Sequence, residues 1–378
     1  PMLMSKARGH RLPKGHHVHV KPAGRSGEAR NQLGSALLRC GELELQIDPE
    51  ASSLTVAIDH LTNAVALDPQ FGRAYWYLHL CNRLLHQEFG APGEALLARA
   101  RDAAEKAWRT DFLVPFPKVE VERNLTGVYP TDTELALEAI DKIRNADPEW
   151  QGYQYWQLGR QLGIAGLHQG ALDYLTRYRD TTPVSQAANT NFTNYYCSAL
   201  EMLGRFEEEI EFITQELAAN PDRPLQLGVR AMTYSRTGQY RKAEEDLRTL
   251  TRIFPRNFAQ FYHLYWTREM DAAHEYYAWL EKQPKLQALF KYWGAFLLGE
   301  LDKGLDYLSE ANNDSWGIAV GSIRCLPQSR AQEVRNHPRH RAMMEALGIT
   351  DGWRSELLER ANELAPITGI TVKPDEEY

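Results

Sequence analysis

Apolar residues recur at helical spacing through most of this 378-residue chain. Between Glu28 and Leu364, large apolar side chains return every three or four positions among Ala, Glu, Arg and Gln. That is the period of an amphipathic helix. Runs that alternate apolar and polar residues, which would predict strands, are scarce. The pattern therefore predicts an all-α protein.

The helices form a repeating series. Prolines follow helix-ending polar residues or loops at spacings that fit a period of roughly 34 to 40 residues, the size of a paired-helix repeat. These prolines are Pro69, Pro148, Pro183, Pro221, Pro255 and Pro284. Proline has no backbone donor, so it ends one helix and begins the next turn. The chain is therefore expected to be an array of helix pairs.

A small residue occupies the same place in most of the predicted second helices. It lies twelve residues before five of the prolines, at Ala57, Ala136, Ala171, Ala243 and Ala272. The same place before Pro221 holds Glu209, the one departure. A large side chain follows four residues later, at Leu61, Ile140, Leu175, Ile213, Leu247 or Tyr276. The two share a helix face, where the small residue admits a neighbouring helix and the large one fills the space beyond it.

Turns inside the pairs are marked by glycine. Gly204, Gly238 and Gly299 are each followed two residues later by Phe206, Tyr240 or Leu301. Glycine adopts the left-handed conformation that ends many helices. The large residue after it is expected to pack into the pair.

These positions together resemble the tetratricopeptide (TPR) repeat pattern W-x2-L-G-x2-Y…A-x3-F…P. The best unit runs through Tyr155, Leu158, Gly159, Leu162, Ala171, Leu175 and Pro183. A second unit matches through Ala231, Tyr234, Gly238, Tyr240, Ala243 and Leu247. The resemblance implies an all-α, right-handed α-solenoid of about eight antiparallel helix pairs with a C-terminal helical cap. The resemblance covers a TPR-like array at 28–310, with a capping segment at 311–378. The charge and histidines of the N-terminus predict a basic, His-rich segment at 1–27.

A second resemblance is to repeat regions of bacterial signalling proteins, such as adenylate cyclases and winged-helix regulators. It rests on the Asp-Pro repeat endings at Asp68 and Asp147, and on the stretch from His337 to Arg354. It implies a regulatory or partner-binding region.

Charge and composition argue against several classes of function and location. The net charge is −7, so the whole chain has no electrostatic case for binding nucleic acid. The longest apolar stretch, near Ala288–Gly299, contains Lys291 and is too short to span a membrane. The basic N-terminus has no apolar stretch behind it, which argues against a signal peptide. Four widely spaced cysteines suggest buried, reduced thiols and a cytoplasmic location.

The candidate binding site lies on the first helices of the repeats. With Leu158 and Leu162 packing inside the best unit, Tyr153, Trp156 and Arg160 fall on a different face. In TPR proteins that face lines a concave groove. The equivalent places one unit later are Asn191, Asn194 and Ser198. Aromatic rings and arginine are common interface anchors, and Asn amides can pair with an extended backbone. The resemblance therefore implies a non-catalytic scaffold or adaptor that binds a peptide or protein, with no cofactor.

Two other functions remain open. A long repeat array can act as a sensor that binds a small molecule and flexes. An enzyme or metal-binding protein would use His16, His17 and His19 as ligands. The alternative interpretation of that tract is a flexible basic tail. Catalytic motifs such as HExxH, a P-loop or GxSxG are absent from the sequence. The sequence does not indicate the oligomeric state.

Overall fold

The computed structural model describes residues 51–87, 94–110, 131–147, 152–181, 190–219, 224–253, 257–282, 288–310, 319–320 and 323–375. Within these ranges the chain forms helices and no strand, so the all-α prediction is confirmed for the described residues. The predicted N-terminal segment, with His16, His17 and His19, lies outside them.

The described helices are named in chain order. They are α1 (Ala51–Leu67), α2 (Gly72–Gln87), α3 (Glu94–Thr110), α4 (Asp132–Arg144), α5 (Tyr153–Ile164), α6 (His168–Thr181), α7 (Thr190–Met202), α8 (Phe206–Ala219), α9 (Pro224–Arg236), α10 (Tyr240–Ile253), α11 (Phe258–Trp266), α12 (Met270–Glu281), α13 (Ala288–Leu298), α14 (Leu301–Glu310), α15 (Gln328–Asn336), α16 (Pro338–Ala346), α17 (Asp351–Asn362) and α18 (Ala365–Thr368). None of them is both long and apolar enough to cross a membrane.

Contacts divide the described residues into two compact units. The first contains α1, α2, α3 and residues 213–227. In it, α2 packs against both α1 and α3. Its core includes Ala57 and Leu61, the small and large residues of the predicted repeat position, together with Ala64, Ala74 and Cys81. The predicted packing face of α1 is therefore confirmed.

The second unit, which holds most of the remaining helices, is built from helix hairpins. Helix α5 packs against α6, α11 against α12 and α13 against α14. The turns between them take two or three residues, so the partners run in opposite directions. Each hairpin also contacts the next: α6 packs on α7, α12 on α13, and α5 on α7. This repeated antiparallel pairing is the TPR-like arrangement that the sequence predicts.

The best repeat unit is held together at a glycine. A Cβ atom added to Gly159 would lie 2.8 Å from Leu175 Cγ and 3.1 Å from the carbonyl oxygen of Ala171. A larger residue would therefore separate α5 from α6. Leu158, Leu162, Ala171 and Leu175 are all buried in the same interface. The predicted packing set of this unit is confirmed.

The predicted glycine turns are also confirmed. Gly204, Gly238 and Gly299 have φ angles of 68°, 75° and 90°. The turn between α11 and α12 has the same left-handed conformation at Arg268, with φ 63°. The sequence has no glycine in this turn, so the glycine pattern did not predict it.

One predicted packing register is wrong. Ala272 and Tyr276 are only partly buried, whereas Ala273 and Tyr277, one residue later, lie in the core. Tyr277 is drawn inward because its ring packs against Gly294 on α13, where a Cβ atom would clash with it. The Tyr277 hydroxyl also donates to the carbonyl oxygen of Lys291 at 3.1 Å. Counting back from Pro284 therefore misplaces the face of α12 by one residue.

The residues predicted as a cap do more than cover the last pair. Helix α15 contacts α13 and α16 contacts α14, as a cap would. Helix α17, however, packs against α4, far back along the chain. The handedness, the number of pairs and the 28–310 boundary remain predictions. The predicted burial of the thiols is confirmed for Cys81, Cys197 and Cys325.

Candidate functional site

The candidate site begins on α5. This helix starts after Gly152, which has a left-handed φ of 94°. Tyr153, Trp156 and Arg160 then follow at helical spacing along one side. The rings of Tyr153 and Trp156 are neighbours, with centroids 5.0 Å apart.

The expectation that these two rings are open to solvent is wrong. Tyr153 is 3% exposed and Trp156 is 8% exposed. Helix α5 packs on α7, the first helix of the next pair, so the side of α5 that faces α7 is covered. Trp156 meets Tyr195 of α7 edge to face, with centroids 5.7 Å apart. A direct contact between these rings and a ligand stays a prediction that their burial does not favour.

Of the three predicted residues on α5, Arg160 is the one whose side chain is partly exposed. Its side chain is 14% exposed. Its Nε donates to the Tyr195 hydroxyl at 3.1 Å, and its Nη2 lies 3.9 Å from a carboxylate oxygen of Asp132. The guanidinium also lies 5.8 Å from the centre of the Tyr195 ring. Tyr195 therefore belongs to the site, although sequence reasoning selected its neighbour Asn194.

The predicted residues of α7 have different surroundings. Asn194 is partly buried, and its carbonyl oxygen accepts from the Ser198 hydroxyl at 2.6 Å. Asn191 lies in the first turn of α7, and its side chain is outside the described part of the structure. Ser198 is buried, and its oxygen accepts from Nη1 of Arg324 at 2.7 Å. Ser198 is therefore engaged by the chain itself, which the sequence did not predict.

A small groove connects these residues. Its accessible volume is about 10 Å³, roughly the space that one water molecule needs. It is lined by Gly159, Arg160, Gly163, His168, Ala171, Leu175, Tyr195, Ser198, Ala199 and Val320. Burial, together with Arg335 and Arg354, lowers the pKa of His168 to about 3. The imidazole is therefore neutral near pH 7, and Arg160 is the lining side chain that carries a positive charge.

Residues 323–326 contact several first helices, including Ser198 of the predicted site. Arg236 on α9 donates through its two Nη atoms to the carbonyl oxygens of Arg324 and Leu326, at 3.0 and 3.1 Å. Arg324 in turn lies with its Nε 3.2 Å from Glu201 Oε2 on α7. Its guanidinium is also 5.9 Å from the ring centre of Trp293 on α13. This segment therefore contacts three first helices: α7, α9 and α13.

Two carboxylates are buried beside that segment. Glu209, the residue that departs from the small-residue pattern, is 0% exposed. Burial raises its pKa well above the usual range, and the negative charge of Glu201 raises it further. Burial also raises the pKa of Glu201, while Arg324 and Arg236 oppose that rise. Glu207 and Glu208 lie in the first turn of α8 and are exposed, where carboxylates complement the helix dipole.

The described ranges contain no group of three or more His, Cys, Asp or Glu side chains placed to hold a metal ion. This finding does not extend to His16, His17 and His19.

No family model matches the sequence, and no curated protein is significantly similar to it. The chain is similar to a solved structure of the TPR domain of P58(IPK), with 14% identity, and the match covers 89% of this chain and 99% of that one. The TM-score is 0.18, so the two backbones do not superpose closely. The packing of its own helix pairs makes this chain a TPR-like helical repeat protein.

Proposed function

We propose that this chain is a non-catalytic scaffold or adaptor that binds a peptide or protein partner on the first helices of its repeats. The observation that carries the proposal is the pairing of Arg160 and Tyr195 across two successive first helices. A guanidinium held by a phenol at the edge of a groove can donate hydrogen bonds to a carboxylate or a main-chain carbonyl of a partner. Cytoplasmic location and the absence of a cofactor are part of the same proposal.

The binding surface in this proposal centres on Arg160, Tyr195 and Asn194. Tyr153 and Trp156 support it from beneath, because Trp156 packs on the Tyr195 ring. Ser198 contributes indirectly, since its hydroxyl is already bonded to Arg324. Asn191 remains a proposed contact at the start of α7.

Arg160→Ala tests this function. A partner is first captured from an extract of the source organism, and the purified partner is then titrated against the wild type and the variant. The loss of an arginine anchor is expected to weaken binding by roughly 2 kcal/mol, or about thirtyfold. Thermal unfolding of both proteins is measured in parallel, because the Arg160 side chain is only 14% exposed and the variant also loses the bond to Tyr195.

Arg252→Ala is the matched control, because Arg252 is exposed at the end of α10. Equal partner affinity in the wild type and in both variants would remove Arg160 from the binding surface. Trp156→Ala is expected to lower the free energy of unfolding by roughly 3 to 5 kcal/mol, as for a buried ring.

The sensor alternative is favoured by one observation, the polar lining of the small groove. Arg160, His168 and Tyr195 converge there on two glycines, but the groove has an accessible volume of only about 10 Å³ and would have to widen to admit a small polar molecule. A thermal-shift screen with small carboxylates would support this alternative if one of them raised the unfolding midpoint of the wild type but not of Arg160→Ala.

A further inference from the structure

Residues 369–375 run as an extended strap across the second unit. The strap follows α18, which ends at Gly369 with a left-handed φ of 70°. Most of its residues are exposed or partly exposed, but Val372 is 2% exposed. The strap is thus attached through a single apolar side chain.

The main chain of the strap is held by an asparagine. Asn362 Nδ2 donates to the carbonyl oxygen of Val372 at 3.0 Å, and the Val372 amide donates to Asn362 Oδ1 at 2.8 Å. One side-chain amide therefore pairs with both main-chain groups of one residue. This contact recognises an extended backbone and not a particular side chain.

The Val372 side chain lies on a glycine of α6. A Cβ atom added to Gly170 would lie 2.6 Å from Cγ1 of Val372 and 3.1 Å from its Cγ2. Gly170 thereby leaves a depression on the helix surface that fits a branched aliphatic side chain. Gly163, on α5, has no such neighbour, because its added Cβ atom would have ordinary contact with Ala171 at 3.8 Å.

Three residues after Val372, the strap places a carboxylate at the N-terminus of α6. Asp375 accepts from the amides of His168 and Gln169 at 2.6 and 3.1 Å. The unsatisfied amides and the dipole of a helix N-terminus favour an anion there. Burial raises the pKa of Asp375, and these hydrogen bonds, Arg354 and Arg335 oppose that rise.

The two arginines give this place a positive field. Burial lowers the pKa of Arg335, and the like charge of Arg354 lowers it further. Both guanidiniums also lower the pKa of His168. The Asp375 carboxylate therefore offsets a positive charge that two buried or partly buried arginines and a helix terminus create together.

We propose that Gly170, Asn362, Arg335, Arg354 and the N-terminus of α6 form a peptide site for an extended acidic segment with an aliphatic residue three positions before a carboxylate. Residues 369–375 are its resident occupant, and a partner segment of the same chemistry displaces them. The proposal rests on the proposed function in taking the ligand to be a protein segment, but it uses a different surface from Arg160 and Tyr195. Binding of a partner is thereby coupled to release of the strap.

A labelled synthetic peptide with the sequence of residues 369–378 tests the site. Its fluorescence anisotropy is measured with the full chain, as the wild type and as Val372→Asp, whose own strap no longer fits over Gly170. The intramolecular strap competes at an effective concentration on the order of millimolar. Val372→Asp is therefore expected to bind the peptide at least about tenfold more tightly than the wild type. A folded Val372→Asp that binds no better than the wild type overturns the proposal.

Two controls assign the binding to this site. The peptide that itself carries Val372→Asp should bind neither protein. Adding Gly170→Ala to Val372→Asp should remove at least about tenfold of the affinity, because the new methyl group fills the depression. Adding Gly163→Ala to Val372→Asp instead should leave the peptide affinity unchanged. Equal binding to the two double variants would contradict the proposed depression.

A measurement on a second variant covers the case in which Val372→Asp does not fold. Hydrogen exchange of the His168 and Gln169 amides is compared between the wild type and Asp375→Asn. Faster exchange of both amides in the variant is expected, and unchanged exchange would overturn the docking of Asp375. A concentration-dependent dimer that Val372→Asp abolishes would assign the site to the strap of a second copy, and would also overturn the proposal.

The two proposed binding surfaces can be ruled out independently of each other. Partner affinity that depends on Arg160 and is unchanged by Val372→Asp would leave the proposed function and remove the strap site. Partner affinity that rises in Val372→Asp and is unchanged by Arg160→Ala would support the strap site and remove Arg160 from the binding surface.

Discussion

Residues 319–326 and 369–375 both fall in the region predicted as one C-terminal cap, yet they are attached in different ways. In the first segment every described residue is buried, including Val320, Ile323 and Leu326. Burying those three aliphatic side chains corresponds to roughly 5 to 9 kcal/mol of transfer free energy. Burying Val372, in the second segment, corresponds to roughly 1.5 to 3 kcal/mol. The first segment is therefore part of the core, whereas the second is held by one buried apolar side chain, as the proposed displacement requires. Burial, and not position in the chain, distinguishes the two segments.

The largest effect that this comparison predicts is for Arg324→Ala. The substitution leaves Glu201 and Glu209 buried without the guanidinium that lies among them. Breaking such a buried pair typically costs about 3 to 5 kcal/mol. Chemical denaturation measures this loss. Arg360→Ala, which breaks an exposed pair with Glu356, is the control and should cost less than about 0.5 kcal/mol. Similar losses in the two variants would mean that residues 319–326 are not part of the core.

The same substitution in both segments gives the next largest difference. Ile323→Ala is expected to lower the free energy of unfolding by roughly 2 to 5 kcal/mol, because it leaves a cavity in a buried site. Ile370→Ala should cost below about 1 kcal/mol, because Ile370 is only partly buried in the strap. Equal costs, measured by urea unfolding, would contradict the distinction between core and strap.

The smallest effect concerns the buried carboxylate beside residues 319–326. Burial raises the folded-state pKa of Glu209, so the protonated form is favoured in the folded protein. Its contribution to stability is present at low pH and is lost as pH rises through that raised pKa. Glu209→Gln should therefore raise the unfolding midpoint at pH 8 by about 2 to 4 °C, equivalent to roughly 1 kcal/mol.

This gain should shrink as the pH falls towards 4, because the wild-type carboxyl is then protonated in both states. Glu207→Gln, an exposed change in the same first turn of α8, is the control and should leave the midpoint nearly unchanged at either pH. A gain from Glu209→Gln that does not vary with pH would show that desolvation of the charge is not its cause.

The sequence predicts the repeat architecture well because packing at small residues is local. Gly159 and Ala171 can be identified from spacing alone, since each contact joins helices adjacent in the chain. The register of α12 was missed because it was counted from Pro284 alone, which ignores Gly294, the residue of α13 that receives the Tyr277 ring.

The candidate site was predicted less well, for a different reason. Helical spacing correctly groups Tyr153, Trp156 and Arg160 on one side of α5. It cannot show that Arg324, more than a hundred residues later, bonds to Ser198. Long-range contacts of this kind leave no periodic signal. Glu209 was a usable signal, because a charged residue at a small-residue position indicates a local change in packing.

The packing of α17 on α4 has a consequence for how the second unit unfolds. In a repeat array where each pair touches only its neighbours, unfolding can begin at one end and proceed pair by pair. Here Arg144 pairs with Glu363, Arg354 donates to the carbonyl oxygen of Gly166 and Arg177 donates to that of Thr368. These contacts join residues about 190 to 220 positions apart, and such high contact order slows folding. They also tie α4 and α6 to the last helices, so we expect this unit to unfold in one cooperative transition and not by fraying from the end.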